Sequence, residues 1–216
     1  ALPICESVNE LPPYRRSIGM VFQHYALFPH MSVADNVGFG LKMRQVPKSE
    51  IAVRVKAALE MVRLGQLGER RPRELSGGQQ QRIALARALV INPKVVLLDE
   101  PFSAIDKNLR AEMQVELKQI QQRLGITTIF VTHDQEEALE VADRVVLMNR
   151  GKVEQIGAPD EVYNHPATPF VYSFLGNVNL FHGRVHEGVL ESGGTPLPVP
   201  DHSQARDAAG VGYVRP

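Results

Sequence analysis

The sequence is short of cysteine, of long apolar runs and of net charge, and each shortage excludes a class of protein. Cys5 stands alone, so neither an internal disulfide framework nor a cysteine-based zinc site is available, and the composition suits a reducing compartment. No apolar run approaches the roughly 20 residues that a helix needs to span a bilayer, and the first residues carry no signal-peptide pattern. Any membrane role is therefore expected to be peripheral. Lys plus Arg and Asp plus Glu stand at 24 each, which leaves no electrostatic footprint for a nucleic-acid partner. What is present is an ordinary globular composition, 44% hydrophobic and 22% charged over 216 residues, enough for one large α/β domain or one domain and part of another.

The stretch Leu75-Ser76-Gly77-Gly78-Gln79-Gln80-Gln81-Arg82 organises the rest. Ser76 has the N-cap residue type and Gln79, three positions on, is its capping-box partner, while Ile83, Ala84, Leu85, Ala86, Ala88 and Leu89 read as a buried helix. The helix is predicted to begin near Gly77 or Gly78. Two glycines there let a phosphate approach the backbone, where free N–H groups and the helix dipole favour negative charge.

Three apolar segments end in polar groups. Ile18 to Phe22 is followed by Gln23, Val95 to Leu98 by Asp99 and Glu100, and Ile126 to Val131 by Thr132-His133-Asp134. The Val95–Leu98 run is the kind buried on both faces of a parallel sheet. Open α/β sheets place ligands at the carboxyl ends of their strands, so Gln23, Asp99, Glu100 and His133 are expected to share one site. The paired acids suit one Mg²⁺ ligand and one group that polarises water.

Between these segments, Pro47 to Leu64 and Asp106 to Leu124 have helical periodicity, the latter with Leu109, Met113, Leu117, Ile120 and Leu124 on one face. Gly65 to Glu74 reads as a polar loop, and the apolar run Tyr25 to Met31 as a loop that is either a docking surface or a core segment. Further on, a short helix over Gln135 to Ala142 precedes a hairpin through Asn149-Arg150-Gly151. Two short helices split at His165-Pro166 follow, and beyond Gly176 come small β-strands. A boundary near Gly176 divides the chain into residues 1–176 and 177–216.

With these residues in view, the chain resembles the ATP-binding subunit of ATP-binding cassette importers. Leu75 to Gln79 is similar to the family signature, Val95 to Glu100 to its Walker B strand, Ser103-Ala104-Ile105-Asp106 to its D-loop, His133 to the switch histidine and Gln23 to the Q-loop glutamine. The resemblance implies a P-loop NTPase-type α/β ATPase domain followed by the start of a small β-rich regulatory domain. It implies ATP and Mg²⁺ as cofactors. Asp99 and Gln23 would serve the metal, Glu100 and His133 catalysis, and Gln23, Ser76, Gly77, Gly78, Gln79 and Asp106 the nucleotide.

The implied assembly is a homodimer of ATPase subunits with two integral membrane permeases at the cytoplasmic face of a bacterial cell membrane, served indirectly by a periplasmic or extracellular solute-binding protein and by no nucleic acid. Tyr25 to Met31 and Thr132 to Ala138 resemble the subgroup serving sulfate, polyamines, sugars and ferric iron. Phe174 to Asn179 and Glu140 to Val145 most resemble the members for sulfate and thiosulfate.

The sequence departs from the family at one point: it contains no G-x-x-x-x-G-K-[ST] phosphate loop, its only Lys-Ser pair being Lys48-Ser49 after Pro47. The expectation is a fragment of a working subunit, cut also inside the β-domain, because Glu100, His133 and Asp106 all remain. Such a fragment is expected to bind ATP weakly or not at all and to leave apolar faces exposed. Two other readings stay open, a cassette ATPase of DNA repair or translation and a non-catalytic binding or regulatory module. The first usually carries coiled-coil insertions or a second cassette, which this chain does not contain.

Overall fold

Three short apolar segments, β1 (Ile18–Val21), β2 (Val95–Asp99) and β3 (Thr127–Val131), pair in parallel in the order β1-β2-β3. The computed structural model describes residues 9–103, 105, 107–176, 179–199 and 207–214. Parallel neighbours need long crossovers. The first crossover carries α1 (Val33–Met43), α2 (Lys48–Met61) and α3 (Gly77–Leu89), and the second carries α4 (Lys107–Leu124). Val21 is level with Leu98, and Leu98 with Phe130, so the carboxyl ends of all three strands come out together.

Side chains alternate across a strand, which sorts the sheet into two faces. Val21, Val96 and Leu98 are buried on one face, where Leu85 and Leu89 of α3 and Leu117 and Ile120 of α4 meet them around two small cavities of about 20 and 10 Å³. On the other face Met20, Phe22, Ile129 and Val131 are 40 to 53% exposed. The expectation that β2 is buried on both faces is corrected: Val95 and Leu97 are only half-buried. A strand needs cover on both sides to justify a continuous apolar run, and here helices pack on one.

Helix α3 crosses close over β1. A Cβ on Gly19 would lie 2.6 Å from the Ala88 carbonyl oxygen, so only glycine fits there. The second crossover has the expected apolar face in Met113, Leu117 and Ile120, all buried, while Leu124 at its end is 37% exposed. Gly125, with φ of 60°, ends it in the left-handed conformation.

Helix α1 was not anticipated from the sequence. Ser32 caps it, its Oγ accepting from the Asp35 N–H at 3.1 Å, and Val33, Val37 and Leu41 are buried at i, i+4, i+8 spacing. Gly38 and Gly40, both poor helix formers, mask this periodicity. Gly38 is there because Ile51 and Val55 of α2 press on it, their methyls within 3.2 Å of where a Cβ would stand.

The chain divides into two compact units after Glu137. Helix α5 (Gln135–Val141) runs across the division, and the second unit continues with the antiparallel hairpin of β4 (Val145–Asn149) and β5 (Lys152–Gly157), joined through Arg150 and Gly151, both at positive φ. Helices α6 (Pro159–Asn164) and α7 (Pro169–Phe174) share a core of Val145, Leu147, Val162, Val171 and Leu175 with it. The predicted change of character near Gly176 falls inside this unit, between α7 and β6 (Asn179–His186). There, β6, β7 (Val189–Ser192), β8 (Thr195–Pro198) and β9 (Ala208–Val214) form an antiparallel sheet in the order β8-β7-β6-β9. Leu190, 1% exposed, is its core residue.

Candidate active site

The level strand ends converge on Glu100. Gln23, two residues past β1, donates from Nε2 to Glu100 Oε2 at 2.8 Å, and His133, two residues past β3, places Nδ1 3.2 Å from Glu100 Oε1. One carboxylate oxygen therefore accepts a hydrogen bond from Gln23, and the other lies beside the His133 ring, with which it forms an ion pair when that ring is protonated. The Glu100 backbone reinforces the placement. Its N–H donates to the Val131 carbonyl at 2.9 Å, and its carbonyl accepts from the Ser103 hydroxyl at 3.0 Å. Its φ of 43° is a conformation that non-glycine residues adopt at a cost of about 1–3 kcal/mol and that collects at functional sites. Pro101 and Phe102 lie buried beneath, the Phe102 ring 5.6 Å from that of Phe130. The Glu100 side chain is 29% exposed and that of His133 73%, so the cluster faces outward with a reachable carboxylate.

His133 is flanked by a polar network. Thr132 Oγ1 donates to Glu137 Oε2 at 2.6 Å and accepts from the Asp134 N–H at 3.0 Å, while Asp134 Oδ1 accepts from the Glu136 N–H, capping α5. Arg110 of α4 bonds Asp134 at 2.9 Å and Glu137 at 3.3 Å, and donates to the Ile105 carbonyl at 3.3 Å. A buried acid such as Glu137 needs such a partner. Sequence reasoning passed over Arg110 and Glu137. The signal was there in Thr132-His133-Asp134, whose Thr and Asp are residue types that bond local backbone.

Asp99 is half-buried on the open sheet face, level with Val131. With Glu100 and the Gln23 amide oxygen it offers hard oxygen donors. Among the described residues no group of three or more His, Cys, Asp or Glu side chains is gathered to cage a metal. This donor set fits Mg²⁺, which is commonly held by one or two carboxylates and keeps waters and substrate phosphates as its other ligands.

The start of α3 has the predicted form. Ser76 Oγ accepts from the Gln79 N–H at 3.4 Å and Gln79 Oε1 accepts from the Ser76 N–H at 3.0 Å, a complete capping box. Ser76 and Gly77 are exposed, nothing stands within 4 Å of a Cβ built on Gly77, and Gly78 is buried. No hydrogen bond or ion pair joins Ser76–Gln79 to Gln23, Glu100 or His133: the chain presents two separate groups. Asp106 lies outside the described residues.

The chain resembles known sequences. Residues 4–103 match a family model described as ABC transporter, and residues 179–216 match the CysA C-terminal regulatory domain. Over residues 4–103 the chain is similar to ABC transporter proteins. The chain is 53% identical over 215 residues to the sulfate/thiosulfate import ATP-binding protein CysA of Bacillus cereus, covering 98% of this chain and 60% of the relative. The CysA of Ralstonia nicotianae is 59% identical over 98% of this chain and 59% of its own length. The spermidine/putrescine import ATP-binding protein PotA of Oleidesulfovibrio alaskensis is 58% identical over 89% of this chain and 53% of its own. Among solved structures, cbiO1 of Clostridium perfringens, part of the ABC transporter complex cbiONQ, matches at a TM-score of 0.65 and 38% identity over 71% of this chain and 61% of that one. The chain thus spans about 60% of the length of the curated relatives it matches.

Proposed function

We propose that the protein carrying this chain is the ATP-hydrolysing subunit that powers import of sulfate or thiosulfate through a membrane ABC transporter. The observation that carries the reading is the Gln23–Glu100–His133 cluster, in which one outward carboxylate accepts a hydrogen bond from Gln23 and lies beside the His133 ring at the ends of adjacent parallel strands. In the hydrolytic step Glu100 orients an attacking water and takes its proton, a role suited to a carboxylate fixed before substrate arrives. His133 contacts the γ-phosphate and holds the closed arrangement. Asp99 and the Gln23 amide oxygen hold Mg²⁺ at the same strand ends. Mg·ATP supplies the transferable phosphoryl group and the charge neutralisation that phosphoryl transfer needs. The phosphate loop that cradles the β- and γ-phosphates in this family is not among the 216 residues, so the assignment concerns only the groups present.

Two copies face each other head to tail, so that the bare helix start of one, Ser76, Gly77, Gly78 and Gln79, reaches the γ-phosphate beside the Glu100 of the other. The separation of the two groups within one chain supports this reading, as does the exposure of Ser76 and Gly77. Asp106, outside the described residues, is assigned to the nucleotide by the same reading. Two integral membrane permeases dock on the segment Tyr25 to Met31 at the cytoplasmic side of the membrane, and a solute-binding protein delivers the cargo to them. Among the described residues no helix is long and apolar enough to cross a membrane, in keeping with a peripheral subunit. Residues 1–176 form the nucleotide-binding domain and 177–216 belong to the regulatory domain, a division that the family match at residues 179–216 supports.

The 58% identity to a spermidine/putrescine relative favours a polyamine importer as the second reading. Uptake by the complete transporter in proteoliposomes separates the two. ATP-dependent accumulation of labelled sulfate, abolished by Glu100→Gln, is the expected result. Accumulation of labelled spermidine without sulfate would replace the cargo, and uptake indifferent to ATP would remove the proposal altogether.

A further inference from the structure

We propose that Arg87 is a positioning residue that locks the loop after Gln23 to helix α3, so that the helix start at Ser76–Gln79 and the Gln23 amide move as one body. The role assigned to it rests on the functional reading of Gln23 and of Ser76–Gln79 given above.

The loop adopts a conformation that does not hold itself. Tyr25 and Ala26 are consecutive non-glycine residues in the left-handed region, at φ of 60° and 45°, which ordinary L residues avoid. Something outside the loop must fix them. Arg87, near the far end of α3, donates from its two terminal nitrogens to the Ala26 and Tyr25 carbonyls, both at 2.8 Å. The planar fork of a guanidinium suits two adjacent acceptors in this way. Its carbon also lies 5.5 Å from the centroid of the Phe28 ring, within the range of a cation–π contact. Burial draws the Arg87 pKa below the ordinary arginine value, as expected of a group that has exchanged water for these partners.

The other end of the loop is anchored separately. Asn36, fully buried on α1, accepts from the Phe28 N–H at 2.8 Å and donates to the Phe28 carbonyl at 3.0 Å. Between the anchors and Gln23 there is little slack. The Tyr25 N–H donates to the Phe22 carbonyl at 2.8 Å, closing a turn around Gln23 and His24, and the Ala26 N–H donates to the His24 carbonyl at 2.6 Å, closing a second around Tyr25. A displacement of α3 therefore reaches the Tyr25 and Ala26 carbonyls through Arg87 and passes to Gln23, whose amide bonds Glu100 at 2.8 Å. The helix that begins at the exposed Ser76 and Gly77 is in this way tied to the carboxylate of the other group. Arg87 touches no reacting atom and acts through the loop.

The test uses the full-length protein with Arg87→Met and Arg87→Lys, read by hydrogen–deuterium exchange across the chain and by steady-state ATP turnover resolved into kcat and KM. With Arg87→Met, exchange of the Tyr25–Met31 amides is expected to rise by about tenfold or more, the loss of at least one charge-assisted hydrogen bond. Amides in β2 and β3 should stay within about twofold of the original, kcat should fall about tenfold, and KM should stay within about twofold. Arg87→Lys keeps the charge without the fork, so both effects should be intermediate. If Arg87→Met loosens the whole chain, Arg87→Lys alone decides, by whether its change is confined to Tyr25–Met31. Unchanged exchange in that loop overturns the clamp, and a loosened loop with unaltered kcat overturns its role in turnover. If the unsubstituted protein hydrolyses no ATP, the functional reading has failed, and the exchange measurement still decides the clamp.

Discussion

Replacing Asn36 by leucine tests whether the scaffold behind Gln23 is as the structure describes it. Asn36 has no exposed surface and binds Phe28 at both backbone groups, at 2.8 and 3.0 Å, with the Ser32 carbonyl at 3.0 Å and the Met31 carbonyl at 3.4 Å as further acceptors. Leucine has the same branched shape but a larger volume, so no cavity forms and crowding adds to the loss of hydrogen bonds. The Ser32 carbonyl keeps the Asn36 N–H as donor at 2.9 Å, and the 3.4 Å contact is weak. The Met31 N–H still donates to the Phe28 carbonyl at 3.2 Å, so the Phe28 N–H alone is orphaned. That costs about 1–3 kcal/mol when buried, and Phe28 is half-buried, which favours the lower end. Leucine recovers about 1 kcal/mol as an apolar side chain in an apolar site. With about 1–3 kcal/mol for crowding by the larger side chain, the net expectation is a loss of about 1–3 kcal/mol, or a fall of about 0.5–1.5 M in the urea midpoint at a slope of about 2 kcal/mol/M.

Asp35→Ala is the companion measurement. The Lys42 ammonium and then the Ser32 hydroxyl hold the Asp35 carboxyl below the ordinary aspartate value. Its stabilisation is therefore present above the unfolded pKa and lost as pH falls through the folded one. Both partners are about half exposed, at 50% and 48%, so this substitution should cost less than about 1 kcal/mol at neutral pH. Equal midpoints for Asn36→Leu and the original protein would refute the reasoning, as would a larger effect from Asp35→Ala.

Gly19→Val should be among the most damaging single changes to β1, since its Cβ would meet the Ala88 carbonyl oxygen at 2.6 Å and α3 would have to withdraw; soluble yield and the urea midpoint should both collapse, and a midpoint within about 1 kcal/mol of the original would contradict the packing. Ser76→Ala removes the cap of α3 and should cost about 1 kcal/mol in stability, yet lower ATP turnover by far more than that loss explains, which paired denaturation and ATPase measurements separate. His30→Asp, at an exposed site in the proposed docking segment, should abolish transport while basal ATP turnover persists, and intact transport would count against docking there.

Much of the site was legible because its chemistry sits where secondary structure ends. Ser76 and Gln79 at capping-box spacing, and polar residues closing three apolar runs, were enough to bring Gln23, Glu100 and His133 together in advance. Helix α1 escaped because Gly38 and Gly40 interrupt its pattern, although Gly38 is required by the close approach of Ile51 and Val55. The apolar run Tyr25–Met31 was ambiguous between surface and core, and the structure divides it: Tyr25 is buried, its hydroxyl without a partner among the described residues and its pKa raised by that burial, Leu27 packs on the core, and Pro29 and His30 are exposed. Periodicity cannot predict such a division, because the loop conformation depends on positive φ at Tyr25 and Ala26 and on side chains as distant in sequence as Arg87. Likewise the half-exposure of β2 reflects which sheet face is covered by helices, information that a four-residue apolar run does not contain.

The most direct test of the central claim is ATP turnover by the full-length protein carrying Glu100→Gln. The side chain keeps its shape and one acceptor oxygen, so the Gln23 and His133 contacts are disturbed at one position only. Removing a general base typically lowers the rate by about 10²–10⁴-fold, and the account expects a loss of that size with Mg·ATP still bound and a dimer accumulating in its presence. Turnover within about threefold of the original would remove Glu100 from the chemistry and, with it, the claim that the three strand ends form a hydrolytic centre.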